Sequence, residues 1–304
     1  MKIGCHALQW GIAIDKDRRH TWDGKVWNVS LENVLSDMAK LHYEGFDCSD
    51  NDAIQYFKVP EEFHRMLSQN MLSFVSTWVT LIPRTSTFTQ DDKINPDIPM
   101  SDPKQFAPLA IPEINIERIR KDFAEKVEYA KNFALLGGQL ITLGGPFMLQ
   151  DNIRNSYYEM IGEYVNDLAV EFKKLGLGCV YHPHLSTLVQ NSEEIDRLYD
   201  YADKSLIKLL LDTAHLVAVG ENPEKIVRKY STRIGHTHFK DLGQGKFLEL
   251  GEGNIDFDVI IKALVETGYS GWLIAELDVP WKTAFGSAST NKIYLDKLVA
   301  KFAA

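Results

Sequence analysis

Cysteine is scarce in this sequence of 304 residues, which contains Cys5, Cys48 and Cys179. The number is odd, the spacing is wide, and no C-x-x-C pair occurs. A disulfide framework or a cysteine-based zinc site is therefore not expected, and a reducing compartment is.

Long apolar runs and an excess of positive charge are also missing. No stretch approaches the ~18 consecutive apolar residues of a membrane span, and the first residues, MKIGCHALQWG, do not have the pattern of a signal peptide. The formal net charge of −9 argues against nucleic acid or an anionic membrane as the main partner. We expect a cytoplasmic protein that acts on a small molecule.

The sequence does contain a regular alternation of short apolar runs and longer stretches of helical period. Strand-helix alternation of this kind predicts a parallel sheet, and eight units favour a closed (β/α)8 TIM barrel forming a single domain over 1–304. An open doubly wound sheet shares the alternation, but no G-x-G-x-x-G follows the first strand. The predicted strands are 2–8, 45–49, 72–79, 139–145, 178–181, 208–213, 234–239 and 272–277.

Two segments interrupt the alternation. Residues 12–28 lengthen the loop after the first strand, and residues 83–115 lengthen the loop after the third and hold six of the chain's 11 prolines. Long loops in a compact domain are usually functional. The second insert is therefore predicted to be a lid over the catalytic face, with an irregular surface insert as the alternative.

Polar residues gather where the last four strands end, which is where a barrel places its active site. Five of the nine histidines fall there, together with two carboxylates and a lysine. Taken singly, each could be a hydrogen-bonded core residue or a helix cap. The residues are His182, His184, Asp212, His215, His236, His238, Lys240 and Glu276.

This conjunction of carboxylates and imidazoles predicts a metal site. Glu276 lies in an apolar strand, where an unpaired carboxylate is costly. A histidine from each of strands five and seven, together with Asp212 and Glu276, would give a mixed nitrogen and oxygen ligand set. That set suits Mn²⁺, Co²⁺, Fe²⁺ or Zn²⁺ better than Mg²⁺, and Mn²⁺ is our first expectation.

The motifs LLLDTAH, IGHTHFKD, LGEGNIDF and GWLIAEL, in this order, resemble the sugar phosphate isomerase/epimerase (xylose isomerase-like) TIM barrels. The resemblance implies one metal ligand from each of strands five to eight, in the pattern Glu, Asp, His, Glu. Asp212, His238 and Glu276 match the last three positions. It also implies that His215 and Lys240 contact the substrate, and barrels of this family often pair, which leaves a homo-oligomer open. His236 stands two residues before His238 in the strand and faces the same way, so it is a further candidate contact.

The strand-five position departs from this pattern, because His182 precedes Pro183 where the epimerases have Glu. The stretch YHPHLST instead resembles the inosose dehydratase branch of the family, which removes water from a keto-inositol. The family pattern therefore assigns His182 to the metal, while His184 is left on the substrate side. Pro183 is expected to end strand five, since proline cannot donate to a strand ladder.

The resemblance implies a metal-dependent lyase that eliminates water from a keto-polyol or keto-sugar through an enediolate. Glu276 is the candidate base, and His184, His215 and Lys240 are candidate acids. Trp10 and Trp78 could stack on a sugar ring or serve packing alone. A sugar isomerase or epimerase is the alternative, followed by a binding protein without catalysis. The net charge of −9 argues against the DNA-repair endonucleases of this fold.

Overall fold

Eight parallel strands close into a barrel in the computed structural model, which describes residues 1–21, 24–82, 102, 115–147 and 155–302. Each strand pairs with the next along the chain, and the last pairs with the first. The predicted TIM barrel is therefore confirmed. The strands are β1 Lys2–His6, β2 Gly45–Ser49, β3 Ser73–Thr80, β4 Leu140–Gly144, β5 Gly178–His182, β6 Lys208–Asp212, β7 Ile234–Phe239 and β8 Trp272–Ala275.

Helices cover the outside of the barrel and bury its apolar face. The described helices are α1 Leu31–Lys40, α2 Asp50–Ile54, α3 Pro60–Asn70, α4 Ile116–Leu135, α5 Asn155–Lys174, α6 Ser192–Tyr199, α7 Thr213–Ala218, α8 Pro223–Tyr230, α9 Phe257–Glu266 and α10 Ala284–Phe302. None of the helices in these ranges combines the length and the apolar character needed to cross a membrane. Cys5, Cys48 and Cys179 are buried free thiols.

Local signals in the sequence account for several helix ends. Ser30 caps α1 in a reciprocal capping box with Asn33. Asn222 caps α8, and Pro223 stands in its first turn, where its missing N–H costs nothing. Gly268 follows α9 with a φ of 81°, the left-handed conformation typical of a residue just past a helix end.

The last helix is longer than its sequence pattern suggests. The apolar spacing predicts a helix over 291–302, but α10 begins at Ala284. Its first turns are rich in small residues and carry no helical stripe of large apolar side chains. Tertiary contacts hold them instead: Gln9 donates to the Ala284 carbonyl at 3.2 Å, and the Tyr43 hydroxyl donates to the Ala288 carbonyl at 2.8 Å.

The first insert is a three-stranded antiparallel sheet of Ile12–Ala13, Arg19–His20 and Val26–Trp27. A buried ion pair fastens it to the barrel, because Arg19 Nη1 lies 2.6 Å from Asp52 Oδ1, just beyond β2. The second insert, 83–115, lies outside the described residues apart from 102 and 115, so its prediction as a lid is untested.

Candidate metal centre and active site

Four side chains from four consecutive strands meet inside the carboxyl-terminal mouth of the barrel. His182 ends β5, Asp212 ends β6, His238 lies in β7, and Glu276 directly follows β8. One nitrogen or oxygen atom from each lies within 4.8 Å of the others, and all four residues are buried. The strand register brings them to one level, since His238 stands opposite Asp212 in the β6–β7 ladder.

Two of the three spacings between these atoms fit a single metal ion, and the third, between His238 and Glu276, is shorter. His182 Nε2 lies 3.3 Å from Asp212 Oδ2, and His238 Nδ1 lies 3.9 Å from the same oxygen and 2.6 Å from Glu276 Oε2. Ligands that stand about 2.0–2.2 Å from one ion are roughly 3–4 Å apart. His238 Nδ1 contacts Glu276 Oε2, and Asp212 Oδ2 contacts Lys240 Nζ. An ion bound here would displace any proton on Nδ1 and take a lone pair from each of the two atoms.

The two carboxylate oxygens of Asp212 have different roles, one in capping a helix and one in the candidate metal site. Its Oδ1 accepts from the backbone N–H groups of Ala214 and His215 at 3.1 and 3.0 Å, which caps α7. Its Oδ2 faces His182 and His238. Burial alone would raise the pKa of this carboxyl, but the charge of Lys240 and the neighbouring imidazoles outweigh it and hold the pKa below its usual range. The group is therefore ionised, as a ligand must be.

Lys240 is fully buried among carboxylates. Its Nζ lies 3.0 Å from Asp212 Oδ2, 2.9 Å from Glu276 Oε2 and 3.5 Å from Asp278 Oδ2. Burial would lower the pKa of this amine, but the three carboxylates raise it above its ordinary value. Lys240 is therefore protonated near neutral pH, next to the four-residue cluster, with hydrogens to donate.

His184 and His215 form a close, tilted pair of rings beside the cluster. Their ring centroids are 3.7 Å apart, and His184 Nδ1 lies 2.8 Å from the Leu185 carbonyl. Burial lowers the pKa of His184 to about 3, and burial and the neighbouring imidazole hold the pKa of His215 well below its usual value. Both rings are therefore neutral near pH 7. Neutral imidazoles suit a base or a hydrogen-bond donor better than a charged acid.

Asp47, in the middle of β2, reaches across the barrel to β7. Its Oδ2 lies 2.6 Å from His236 Nε2 and 3.1 Å from His238 Nε2. Burial alone would raise the pKa of the Asp47 carboxyl, but the two histidines lower it. The three residues form a second group with the spacing of metal ligands, which shares His238 with the first.

The two predicted tryptophans lie in different places. The Trp78 ring lies 5.0 Å from the His182 ring and 5.6 Å from the His184 ring, so it forms part of the wall of the site. Trp10 is buried in the main hydrophobic core, the packing alternative that its sequence position left open. Pro183 follows the last residue of β5, as the sequence predicts.

Asp47 and Asp278 are absent from the set of residues predicted from the sequence. Asp278 could have been found, because it follows Glu276 at a spacing of two, and residues two apart in an extended segment face the same way. Asp47 carries a weaker signal: it lies in the apolar run GFDCS, where a charged residue needs a partner. Its partners stand 189 and 191 positions away.

Comparison with known proteins now identifies the group to which this barrel belongs. Residues 35–292 match the xylose isomerase-like TIM barrel family. The chain belongs to this family. The resemblance expected from the four motifs is therefore confirmed.

Among relatives of this xylose isomerase-like chain, an inosose dehydratase of Clostridium botulinum (strain Eklund 17B / Type B) is 40% identical over 275 residues, which cover 82% of each chain. An inosose dehydratase of Clostridium beijerinckii is 37% identical over 140 residues, which are 40% of this chain and 47% of that protein. That second alignment thus spans about half the length of the relative. In the solved structure of the IOLI protein with a bound zinc atom, the same fold superposes with a TM-score of 0.73 at 15% identity, covering 99% of both chains.

Proposed function

We propose that this protein is a metal-dependent hydro-lyase that removes water from a keto-polyol or keto-sugar of the inosose class. The observation that carries the proposal is the buried His182, Asp212, His238 and Glu276 cluster, which pairs two imidazoles with two carboxylates. The similarity to inosose dehydratases supports the choice of reaction and substrate class.

The charge at the site supports a divalent cation. Asp212, Glu276 and Asp278 bring three carboxylates against the ammonium of Lys240, and Asp47 adds a fourth beside His236 and His238. So many buried negative charges are costly without further positive charge. A metal ion held by the four-residue cluster would supply it, and Mn²⁺ is our first candidate because the mixed ligand set suits it.

When bound, the metal supplies a Lewis acid that polarises the substrate's ketone. The chain's own residues supply the proton transfers. Dehydration breaks a C–H bond next to the ketone and the C–O bond of the hydroxyl beyond it. The base gains one proton, the acid gives one to the departing hydroxyl, and water leaves.

The geometry supports candidates for both roles. Neutral His184 or His215 can accept the proton, and Glu276 remains a candidate base because the charges of His238 and Lys240 overcome the effect of burial and keep its pKa low. Lys240 is a charged donor that can hold the departing hydroxyl and protonate it. Trp78 forms the wall against which the apolar face of a sugar ring would pack.

Incubation of the protein with Mn²⁺ and a panel of keto-inositols and ketoses tests the reaction. Dehydration produces a conjugated product with new ultraviolet absorbance and the loss of one water in mass. Isomers of unchanged mass would instead support an epimerase. Among these residues that alternative has less support, because His182 stands where the paired acid/base mechanism of the epimerases would need a second carboxylate.

Metal analysis after dialysis tests the site separately from the reaction. His182→Ala and Asp212→Ala should each lose the ion, since each removes one of its ligands. His64→Ala is the matched control, because His64 is exposed and its Nε2 lies 2.9 Å from the Leu135 carbonyl. Full occupancy in both site variants would refute the proposed metal centre. We also propose a cytoplasmic location and the pairing of two copies of the chain.

A further inference from the structure

We propose that Asp47 is a positioning residue that fixes the orientation of His238, so that Nδ1 of this ring faces the metal. This inference rests on the metal centre proposed above. It concerns a residue outside the four ligands, on the opposite side of the barrel from three of them.

The two nitrogens of His238 face different neighbours. Nδ1 points at the ligand cluster, 2.6 Å from Glu276 Oε2 and 3.9 Å from Asp212 Oδ2. Nε2 points the other way, 3.1 Å from Asp47 Oδ2. An ionised carboxylate can only accept, so the proton at this contact belongs to Nε2. With that proton held on Nε2, Nδ1 is the nitrogen that faces the ion, and metal binding would displace any proton that Nδ1 shares with Glu276.

Asp47 is itself held in place by a second histidine. His236 Nε2 donates to the same Oδ2 at 2.6 Å, shorter than the contact with His238. His236 and His238 are two apart on β7, so both rings enter the barrel, and both converge on one oxygen. The side chains of Asp47 and both histidines are no more than 2% exposed. Water therefore cannot readily replace this contact.

The register of the sheet makes the arrangement possible. His6 pairs with Asp47 between β1 and β2, and the His6 ring packs edge-on against the His238 ring at 5.6 Å. The His238 ring is thus held by packing on one side and by a hydrogen bond at its outer nitrogen. Outer partners of this kind orient a metal-bound imidazole and raise its basicity, and losing one typically costs about 10–100-fold in metal affinity.

The first measurement is metal affinity, by titration of Mn²⁺ or Cd²⁺ in competition with a chelator. Asp47→Ala should bind the ion about 10–100-fold more weakly than the parent. The metal affinity of Asp47→Asn should fall between those of the parent and Asp47→Ala, because an amide oxygen still accepts a hydrogen bond but carries no charge. Asp50→Ala is the matched control, since the Asp50 carboxylate accepts from the Asn51 backbone N–H instead. Its affinity should equal the parent's.

The second measurement is specific to orientation. In protein loaded with ¹¹³Cd and labelled with ¹⁵N-histidine, the parent should show coupling from the metal to His238 Nδ1 and a retained proton on Nε2. Asp47→Ala should weaken or lose that pattern, whereas a purely structural role would lower the melting temperature and leave the pattern unchanged.

Three results would overturn the inference. Parent-like affinity in Asp47→Ala would do so while leaving the metal centre intact. Two ions per parent chain, with one lost in His236→Ala, would show that Asp47, His236 and His238 are ligands of a second ion. A parent protein that binds no ion would refute the metal centre and the inference together.

Discussion

Replacing Asp241 with asparagine should release the loop that carries one wall of the site. The Asp241 carboxylate, 1% exposed, accepts four backbone hydrogen bonds. Oδ1 accepts from Leu242 at 2.8 Å and Ile255 at 3.0 Å, and Oδ2 accepts from Gly251 at 3.0 Å and Gly253 at 2.9 Å. Asparagine has one acceptor oxygen, so either orientation of its amide leaves two of these N–H groups facing an NH₂ group.

The expected cost follows from this count. A hydrogen bond to a charged group contributes about 1.5–3 kcal/mol, so losing two of them should lower the free energy of unfolding by about 3–6 kcal/mol. Unfolding entropy near 2.1 cal/mol/K per residue gives a chain of this length about 0.6 kcal/mol/K. The melting temperature should therefore fall by about 5–10 °C.

The loss should also reach the active site. The hairpin of Asp241–Gly243 and Lys246–Leu248 belongs to this loop, and Phe247 packs its ring 4.9 Å from the His215 ring and 5.2 Å from Lys240 Nζ. A loop that is no longer held by Asp241 would move Phe247 away from His215 and Lys240. We therefore expect turnover to fall along with stability.

Calorimetry and amide hydrogen exchange would check the prediction. The Gly251 and Gly253 amides should exchange much faster in Asp241→Asn. Asp256→Asn is the control, because Asp256 caps α9 and asparagine caps a helix equally well. A melting temperature within a degree of the parent, with both amides still protected, would refute the reasoning.

Three further predictions concern the walls of the site and its support. In Gly144→Ala the new Cβ would stand 1.9 Å from the Trp78 ring, so Trp78 should shift, tryptophan fluorescence should change and KM should rise; unchanged fluorescence would contradict this. His184→Ala should keep its metal in dialysis and lose roughly 10²–10⁴-fold in turnover, the contribution of a proton-transfer group, and parent-like turnover would leave His184 a packing role. Arg19→Met should lower the free energy of unfolding in a denaturant titration by about 3–5 kcal/mol, because it leaves the buried Asp52 carboxylate without its cation. Adding Asp52→Asn should recover most of this loss; no recovery would mean that the broken ion pair is not its cause.

The barrel strands could be predicted because each is short, apolar and bounded by a helix signal. Every predicted strand overlaps an observed one, and the β5 boundary was set by a single residue, Pro183. The hairpin after β7 was missed, although its turn holds Gln244 and Gly245 with φ of 53° and 73°. A two-residue turn of this kind needs positive φ at both positions, which Asn-Gly adopts readily. Glutamine in place of asparagine weakens the signal.

The site residues that could be predicted are those at the ends of predicted strands, because successive parallel strands end at the same mouth of the barrel. Asp212, His238 and Glu276 each end or follow a strand that the alternation predicts, so barrel topology alone brings them together. Asp47 belongs to β2, and its contacts with β7 cross the barrel interior. Which residues of two non-neighbouring strands meet inside the barrel depends on the tilt and stagger of the closed sheet. Hydrophobic periodicity does not encode these two quantities.

The buried carboxylates around this barrel mouth have two roles, stabilising the fold and binding an ion, and their contacts distinguish the two. Asp241 is satisfied by four N–H groups, and Asp52 by the guanidinium of Arg19 and the hydroxyl of Ser49.

Asp212 divides its oxygens, with one capping α7 and the other facing His182, His238 and Lys240. A buried carboxylate whose oxygens are all occupied by the protein holds the fold together, whereas one that keeps an oxygen toward other ligand atoms can bind an ion. The sequence shows both as an aspartate after an apolar strand. The difference arises from loops that fold back with N–H groups, as Gly251 and Gly253 do over Asp241, and do not fold back over Asp212 Oδ2.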